Sequence, residues 1–308
     1  KRSPMKTTRR DKELFESQHY NRKLARPLTF PFSRSFSFSL NGGGFDTDAA
    51  SYLALLSGDG VIVSELQASA INSFYVTGKS EGWYSDLKRM YLPIFGAAAP
   101  NAICLVSGTS GTFNGPMTHG SGFVTGNGTS TYFDVGATPS AMGITTGDAF
   151  LMRGIHTSPA GSLHSGFGVA DDSTAASLAM LNFASTHASA GTTYFRHPTS
   201  ASAVTLTGQG SEYRGIYIGS STLTSARFLL RRRSGGTTVV SNTTLAATAI
   251  KDLSPYCMAR RLSGGLNTPS PGSEFAWAFG TGMTEAQAGD FTAALETMWE
   301  TCTGLTLY

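Results

Sequence analysis

Apolar residues recur at two different periods along this 308-residue chain, and the changes of period divide it. In residues 30–40, Phe30, Phe32, Phe36, Phe38 and Leu40 alternate with Ser, Thr and Arg, the period of an extended strand. Pro27 and Pro31 disfavour helix around them. Gly42-Gly43-Gly44 then marks a hinge. Beyond it the pattern turns helical. Asp46-Thr47-Asp48 can cap a helix over Ala49–Leu56, and Ser64-Glu65-Leu66-Gln67 has the form of a capping box. After that box Leu66, Ala70, Ile71, Phe74 and Tyr75 recur at helical spacing.

From about Ala102 the apolar runs become short and turn signals close each one. The strands expected are Ile103–Val106, Gly122–Thr125, Thr131–Val135, Ala149–Ile155, Gly166–Ala170, Met180–Phe183, Thr192–Phe195, Arg214–Ile218, Ala226–Arg231, Thr237–Ser241, Pro255–Arg261 and Phe275–Phe279. Asn127-Gly128, Ser234-Gly235-Gly236 and Ser263-Gly264-Gly265 are among the turns between them. Such spacing indicates an antiparallel sandwich or jelly roll. Thr284-Glu285-Ala286-Gln287 is a second capping box. It opens a last helix with Ala288, Phe291, Leu295, Met298 and Trp299 on one face.

Three segments carry a family resemblance. One is the capped helical block leading through Gly82-Trp83-Tyr84-Ser85-Asp86-Leu87-Lys88 to Met90-Tyr91-Leu92-Pro93. Another is Gly126-Asn127-Gly128-Thr129-Ser130-Thr131-Tyr132-Phe133, a strand–turn–strand that looks like G-N-G-[ST]-x-[YF] with one more residue before the aromatic. The last is Glu274-Phe275-Ala276-Trp277-Ala278-Phe279-Gly280 ahead of the terminal helix. Over residues 45–308 this order resembles virion structural proteins of tailed bacteriophages and prophages that carry a concanavalin A-like (laminin-G-like) β-sandwich. The resemblance implies a mainly-β fold. A concanavalin A-like or jelly-roll sandwich would follow a small helical block and an extended N-terminal arm, and end in a C-terminal helix. It implies a non-catalytic component of the tail, a fibre or the particle surface, assembled in the host bacterial cytoplasm and located in the virion. Its partners would be other virion proteins, and it would form a homo-oligomer, a trimer or higher. The implied organisation is an attachment arm over 1–44, the helical block over 45–101 and the sandwich with its terminal helix over 102–308.

Charge sharpens the picture of the arm. Residues 1–40 hold ten Lys/Arg against three acids, a balance of +7, which leaves −4 for the rest of a chain whose total is +3. A basic arm attached to an acidic body is expected to act as an interaction tail, and nucleic acid is not its expected partner. Phe30, Phe32, Arg34, Phe36 and Phe38 are the candidate attachment residues. Two destinations stay open for the stripe: the chain's own body or a neighbouring subunit. Elsewhere charged residues are scarce, 14% overall, and Gly is abundant, which suits short strands and tight turns. With 40% hydrophobic content the bulk of the chain is expected to fold. No apolar run approaches the ~20 residues that span a bilayer. The basic start runs into Asp11-Lys12-Glu13 without the apolar stretch of a secretory signal, so no membrane partner is expected.

No pattern in the sequence marks a site for a reaction. A retaining glycosidase needs two carboxyl groups about 5 Å apart. Glu212 and Glu274 are distant in sequence, and Asp171-Asp172 reads as a turn. The six histidines are scattered singly, and Cys104, Cys257 and Cys302 have no metal-ligand spacing, so neither a metal nor any cofactor is expected. Arg231-Arg232-Arg233 is the one basic cluster of the body. It reads either as a solvated strand end or as an anion or subunit contact, with alternate side chains facing opposite ways. A host surface glycan is the alternative partner, and exposed Tyr or Trp beside Asn or Asp on a sheet face would be its sign. Tyr194, Tyr213 and Tyr217 are the tyrosines considered for stacking. A glycan depolymerase is the least favoured reading.

Overall fold

Two sheets face one another, and helices cover the outer face of one of them. The computed structural model describes residues 44–157, 165–169, 181–186, 192–196, 204–207, 213–222, 227–234, 236–242, 250–263 and 265–308. The attachment stripe Phe30–Phe38, Asp171-Asp172, Glu212, and His19, His164, His187 and His197 lie outside them. Residues 44–308 form one compact unit.

The helices are α1 (Thr47–Gly58), α2 (Glu65–Ser80), the single turn α3 (Ala98–Asn101) and α4 (Glu285–Thr303). Their starts follow from the capping residues. Asp46 accepts from the N–H groups of Asp48 and Ala49. Ser64 with Gln67, and Thr284 with Gln287, close reciprocal capping boxes that satisfy backbone donors at both ends of each pair. In α4 the face formed by Ala288, Phe291, Leu295, Met298 and Trp299 is buried, as the spacing predicts. It meets α2 through an aromatic knot in which Phe74, Trp83 and Phe291 lie with ring centroids 4.9 to 6.0 Å apart. Gly78 makes this possible, since a Cβ there would sit 2.5 Å from the Trp83 ring.

The first sheet contains β1 (Leu87–Tyr91), β3 (Thr118–His119), β4 (Val124–Thr125), β6 (Ala149–Thr157), β11 (Gly215–Ser221), β12 (Arg227–Arg233), β13 (Gly236–Asn242) and β17 (Ser273–Gly280). Its order is β13-β12-β11-β6-β17-β4-β3, with β1 on the same side of β17 as β4. The second sheet contains β2 (Thr112–Asn114), β5 (Tyr132–Asp134), β7 (Ser165–Val169), β8 (Leu181–Thr186), β9 (Thr192–Arg196), β10 (Val204–Leu206) and β14 (Tyr256–Cys257). Its hairpin is β15 (Arg260–Leu262) and β16 (Gly265–Asn267). Its order is β10-β9-β8-β7-β14-β5-β2, and β15 runs parallel to β7 while the other pairs are antiparallel. The fold is thus a mainly-β antiparallel sandwich with helices before it and a helix after it.

Alternation assigns the layers. On β6, Phe150 and Met152 pack with the helices, while Leu151 and Ile155 face the second sheet with Phe133, Phe167 and Phe195. The helical block therefore shares a core with the sandwich. Tyr75 on α2 donates to Leu105 O at 2.6 Å, and Trp299 on α4 donates to Gly122 O at 2.9 Å. Three expectations are corrected. Pro255–Arg261 is two short strands, β14 and β15, interrupted at Met258-Ala259, where Met258 takes a φ of 59°. Ile103–Val106 forms no strand: Ile103 and Cys104 make isolated bridges to Ser110 and Tyr91 around a turn. The stretch Leu87–Tyr91, placed within the helical block, is β1 and pairs with Trp277–Gly280 of β17.

One ion pair is sealed inside the sandwich. Arg153 of β6 donates to Glu274 of β17, and both side chains are at most 2% exposed. Arg153 also donates to Ser270 Oγ, and Trp277 Nε1 donates to the other Glu274 oxygen at 2.7 Å. Breaking a buried pair strands a desolvated charge, which costs about 3–5 kcal/mol. Glu274→Ala is expected to lose this amount in urea unfolding. The double variant R153M/E274L should lose less than the sum of the single changes, because no charge is left stranded.

His156 reports pH. Its ring stacks on Phe123 at 4.4 Å and 11° and lies 5.7 Å from Trp299. Burial, and then the Arg214 cation, push its pKa below the usual 6.5, and burial does the same to His119. The unfolded chain therefore binds protons that the folded chain does not. Stability is full above pH ~6.5 and falls as pH drops toward the depressed folded values. Thermal unfolding between pH 7.5 and 5 should show this loss, and H156Q should shrink it.

Candidate functional site

Among the described residues, β5, β14 and β15 bring aromatic and charged side chains together on the outer face of the second sheet. Its local origin is the Asn127 turn. Asn127 Oδ1 accepts from the N–H groups of Thr129, Ser130 and Thr131 at 2.9, 2.9 and 3.2 Å, an Asx arrangement that fixes where β5 begins. Three residues then alternate. Phe133 points inward and stacks on Trp277 at 5.0 Å, so Tyr132 and Asp134 point outward. On the neighbouring β14, Cys257 pairs with Phe133 and faces the core, while Tyr256 pairs with Asp134 and faces out.

Tyr132 and Tyr256 stack with ring centroids 4.2 Å apart and an interplanar angle of 29°. Arg261, from β15, places its guanidinium 5.1 Å from the centre of the Tyr256 ring. The same side chain donates to Ser254 O at 3.3 Å and lies 3.8 Å from Asp134. Asp134 also accepts from the Gly136 N–H at 2.9 Å and from the Ser254 hydroxyl. Arg260, the preceding residue of β15, donates instead to Asn267 Oδ1 at 2.6 Å. Tyr256 is buried at 7% exposure, whereas Tyr132, Asp134, Arg260, Arg261 and Asn267 are partly accessible. Burial, opposed by Arg261, raises the Tyr256 phenol, so it stays protonated at neutral pH. Gly168 of β7 pairs with Tyr256 on the far side and adds no side chain to this row. The result is a stacked tyrosine pair in which Tyr256 is enclosed between Tyr132 and Arg261, and the partly accessible Tyr132 lies beside a guanidinium and a carboxylate. Such a tyrosine platform can stack on the apolar face of a sugar ring and bond its hydroxyls.

The residues picked from sequence fall elsewhere. Arg231, Arg232 and Arg233 do not converge. Arg231 is 1% exposed inside the sandwich, its guanidinium 5.3 Å from the Tyr217 ring centre and donating to Arg214 O at 3.0 Å. Arg232 projects to the opposite face and binds Glu296 of α4, and Arg233 is exposed. The alternation read from sequence holds: Arg231 is enclosed, Arg232 is partly accessible and Arg233 is exposed. Tyr213 and Tyr217 are core residues, each 2% exposed, and the side chain of Tyr194 lies outside the described residues. Sequence reasoning passed over Tyr132 and Tyr256. The signal available was the alternation Tyr132-Phe133-Asp134 after an Asx turn.

Glu274 is enclosed by Arg153 and Trp277. His119 Nδ1 lies 3.0 Å from the Asn101 amide and its ring meets Phe113 edge-on at 4.5 Å. Among the described residues no three His, Cys, Asp or Glu side chains are placed to hold a metal ion, and no helix is long and apolar enough to cross a membrane. The three cysteines are free and buried, and burial pushes the Cys302 thiol up to about 12.

No protein-family model matches this chain, and no curated protein matches it. Two solved structures are similar to parts of it. The carbohydrate-binding module CBM40 of the Ruminococcus gnavus IT-sialidase gives a TM-score of 0.35 at 10% identity over 48% of this chain and 83% of that one. Domain 4 of AbnA, a GH43 extracellular arabinanase from Geobacillus stearothermophilus, solved with arabinotriose, gives 0.34 at 10% identity over 67% and 98%. Likeness at this level adds nothing to what the strand pairing says about the fold.

Proposed function

We propose that this chain is a structural and binding component of a tailed-phage particle, that it performs no chemical step, and that its sandwich recognises a glycan of the host surface. Membership of a particle rests on the sequence resemblance over residues 45–308. The glycan reading rests on one observation, the stacked Tyr132–Tyr256 pair with Arg261 and Asp134 beside it on an outer sheet face. Aromatic planes with a few fixed polar groups suit polyhydroxylated rings, whose faces are apolar and whose edges are hydroxylated. Two carboxylates of the described sandwich are committed to partners, which supports binding over hydrolysis. Asp134 is committed to Gly136 and Ser254, and Glu274 lies inside the core with Arg153.

The test is binding of the labelled full chain to host cells with and without their surface polysaccharide. Saturable binding that disappears with the polysaccharide is expected. Tyr132→Ala should weaken it at least tenfold, because truncating a hot-spot aromatic costs about 2 kcal/mol or more. Unchanged binding by Y132A, with the fold verified by circular dichroism, would reject the platform as the site.

A further inference from the structure

The helical layer carries a second surface that the tyrosine platform does not use. Between α2 and α4 runs an open groove of about 570 Å³. Its floor is Phe74 and Met298, and short side chains such as Ser69, Ser73, Ala294 and Thr297 keep its walls low. Gln67 Nε2 donates to Cys302 O at 2.6 Å, so the start of α2 meets the end of α4. One end of the groove is therefore apolar, with Leu66 at 68% exposure. The other end is acidic, formed by the exposed Glu81 and Asp290. Residues 44–86 and 281–308, which hold the long helices, contain ten Asp/Glu and a single cation, Lys79. Lys79 is already bound to Asp46 and Asp48 at 2.8 Å each. The groove is thus apolar below and negative at its rim.

A complement to such a surface is a segment with apolar anchors and positive charge. The chain contains one: residues 1–43 carry +7, and Phe30, Phe32, Phe36 and Phe38 bracket Arg34. We infer that the groove between α2 and α4 receives the N-terminal arm of a second copy of this chain, Phe side chains seated on the Phe74–Met298 floor and basic residues beside Glu81 and Asp290. Association then combines apolar burial, which sets the register, with a screened electrostatic attraction that draws the arm in. This inference rests on the assembly half of the proposed function and leaves its glycan half aside.

Complementation in the full chain tests it. An arm variant, F32S/F36S/F38S, keeps its groove. A groove variant, E81K/D290K, keeps its arm and changes only exposed positions, so its fold is retained. Light scattering should find the natural chain self-associated. Each variant alone should associate at least tenfold more weakly, and a 1:1 mixture should recover association because one copy supplies the arm and the other the groove. Raising the salt from low to about 0.5 M should weaken assembly further in the natural chain than in the groove variant. A monomeric natural chain, full assembly by either variant, or a mixture that stays apart would overturn the inference, the last assigning the groove to another occupant. Polysaccharide binding measured on the same variants reads the glycan site separately, so failure of one proposal is distinguishable from failure of the other.

Discussion

Everything in this fold depends on a sheet buried on both faces. Strands β6 and β17 lie at its centre, and every residue from Ala149 to Ile155 and from Ser273 to Gly280 is buried. One face meets α2 and α4 and the other meets the second sheet. A strand in that position cannot alternate between apolar and polar, and β6 reads accordingly as a nearly continuous apolar run. Its exception is Arg153, which such a site tolerates only with a fixed counter-charge. The bulge between Glu274 and Ala276 in the β6–β17 register accompanies that placement of Glu274. The helices are consequently the third layer of the core, and removing them would expose Phe150, Met152, Ile216 and Ile218 to water.

Legibility in the sequence followed locality. The two capping boxes and the buried face of α4 depend on residues three or four apart, and each stands where its pattern places it. Strands with clear turn signals on both sides, such as Ala149–Ile155, Thr237–Ser241 and Phe275–Phe279, lie within their observed bounds. Features set by distant partners were not legible. Leu87–Tyr91 becomes a strand because β17, nearly two hundred residues later, offers it an edge. The apolar run Ile103–Val106 is spent in a turn whose hydrogen bonds go to Met90 and Thr109. Arg231 looked like a charge at a strand end, but β12 extends to Arg233, which carries Arg231 inside.

The candidate site was partly legible for the same reason. The Asn127 turn stands in the sequence, and strand alternation makes Tyr132 and Asp134 point the same way. Its partners Tyr256 and Arg261 arrive from more than a hundred residues downstream, through the pairing of β14 with β5. Layer order has a further consequence. The platform occupies the outer side of the second sheet and the α2–α4 groove the outer side of the helices, with the first sheet between. Recognition and assembly, as proposed, would then use opposite surfaces and need not compete for space.

The most direct test of the platform is amide hydrogen exchange on the full chain, with and without saturating host surface polysaccharide. Protection confined to residues 126–136 and 254–267 is the predicted result, because those segments hold Tyr132, Asp134, Tyr256 and Arg261. Saturable binding with protection elsewhere, or with none in these two segments, would contradict the account.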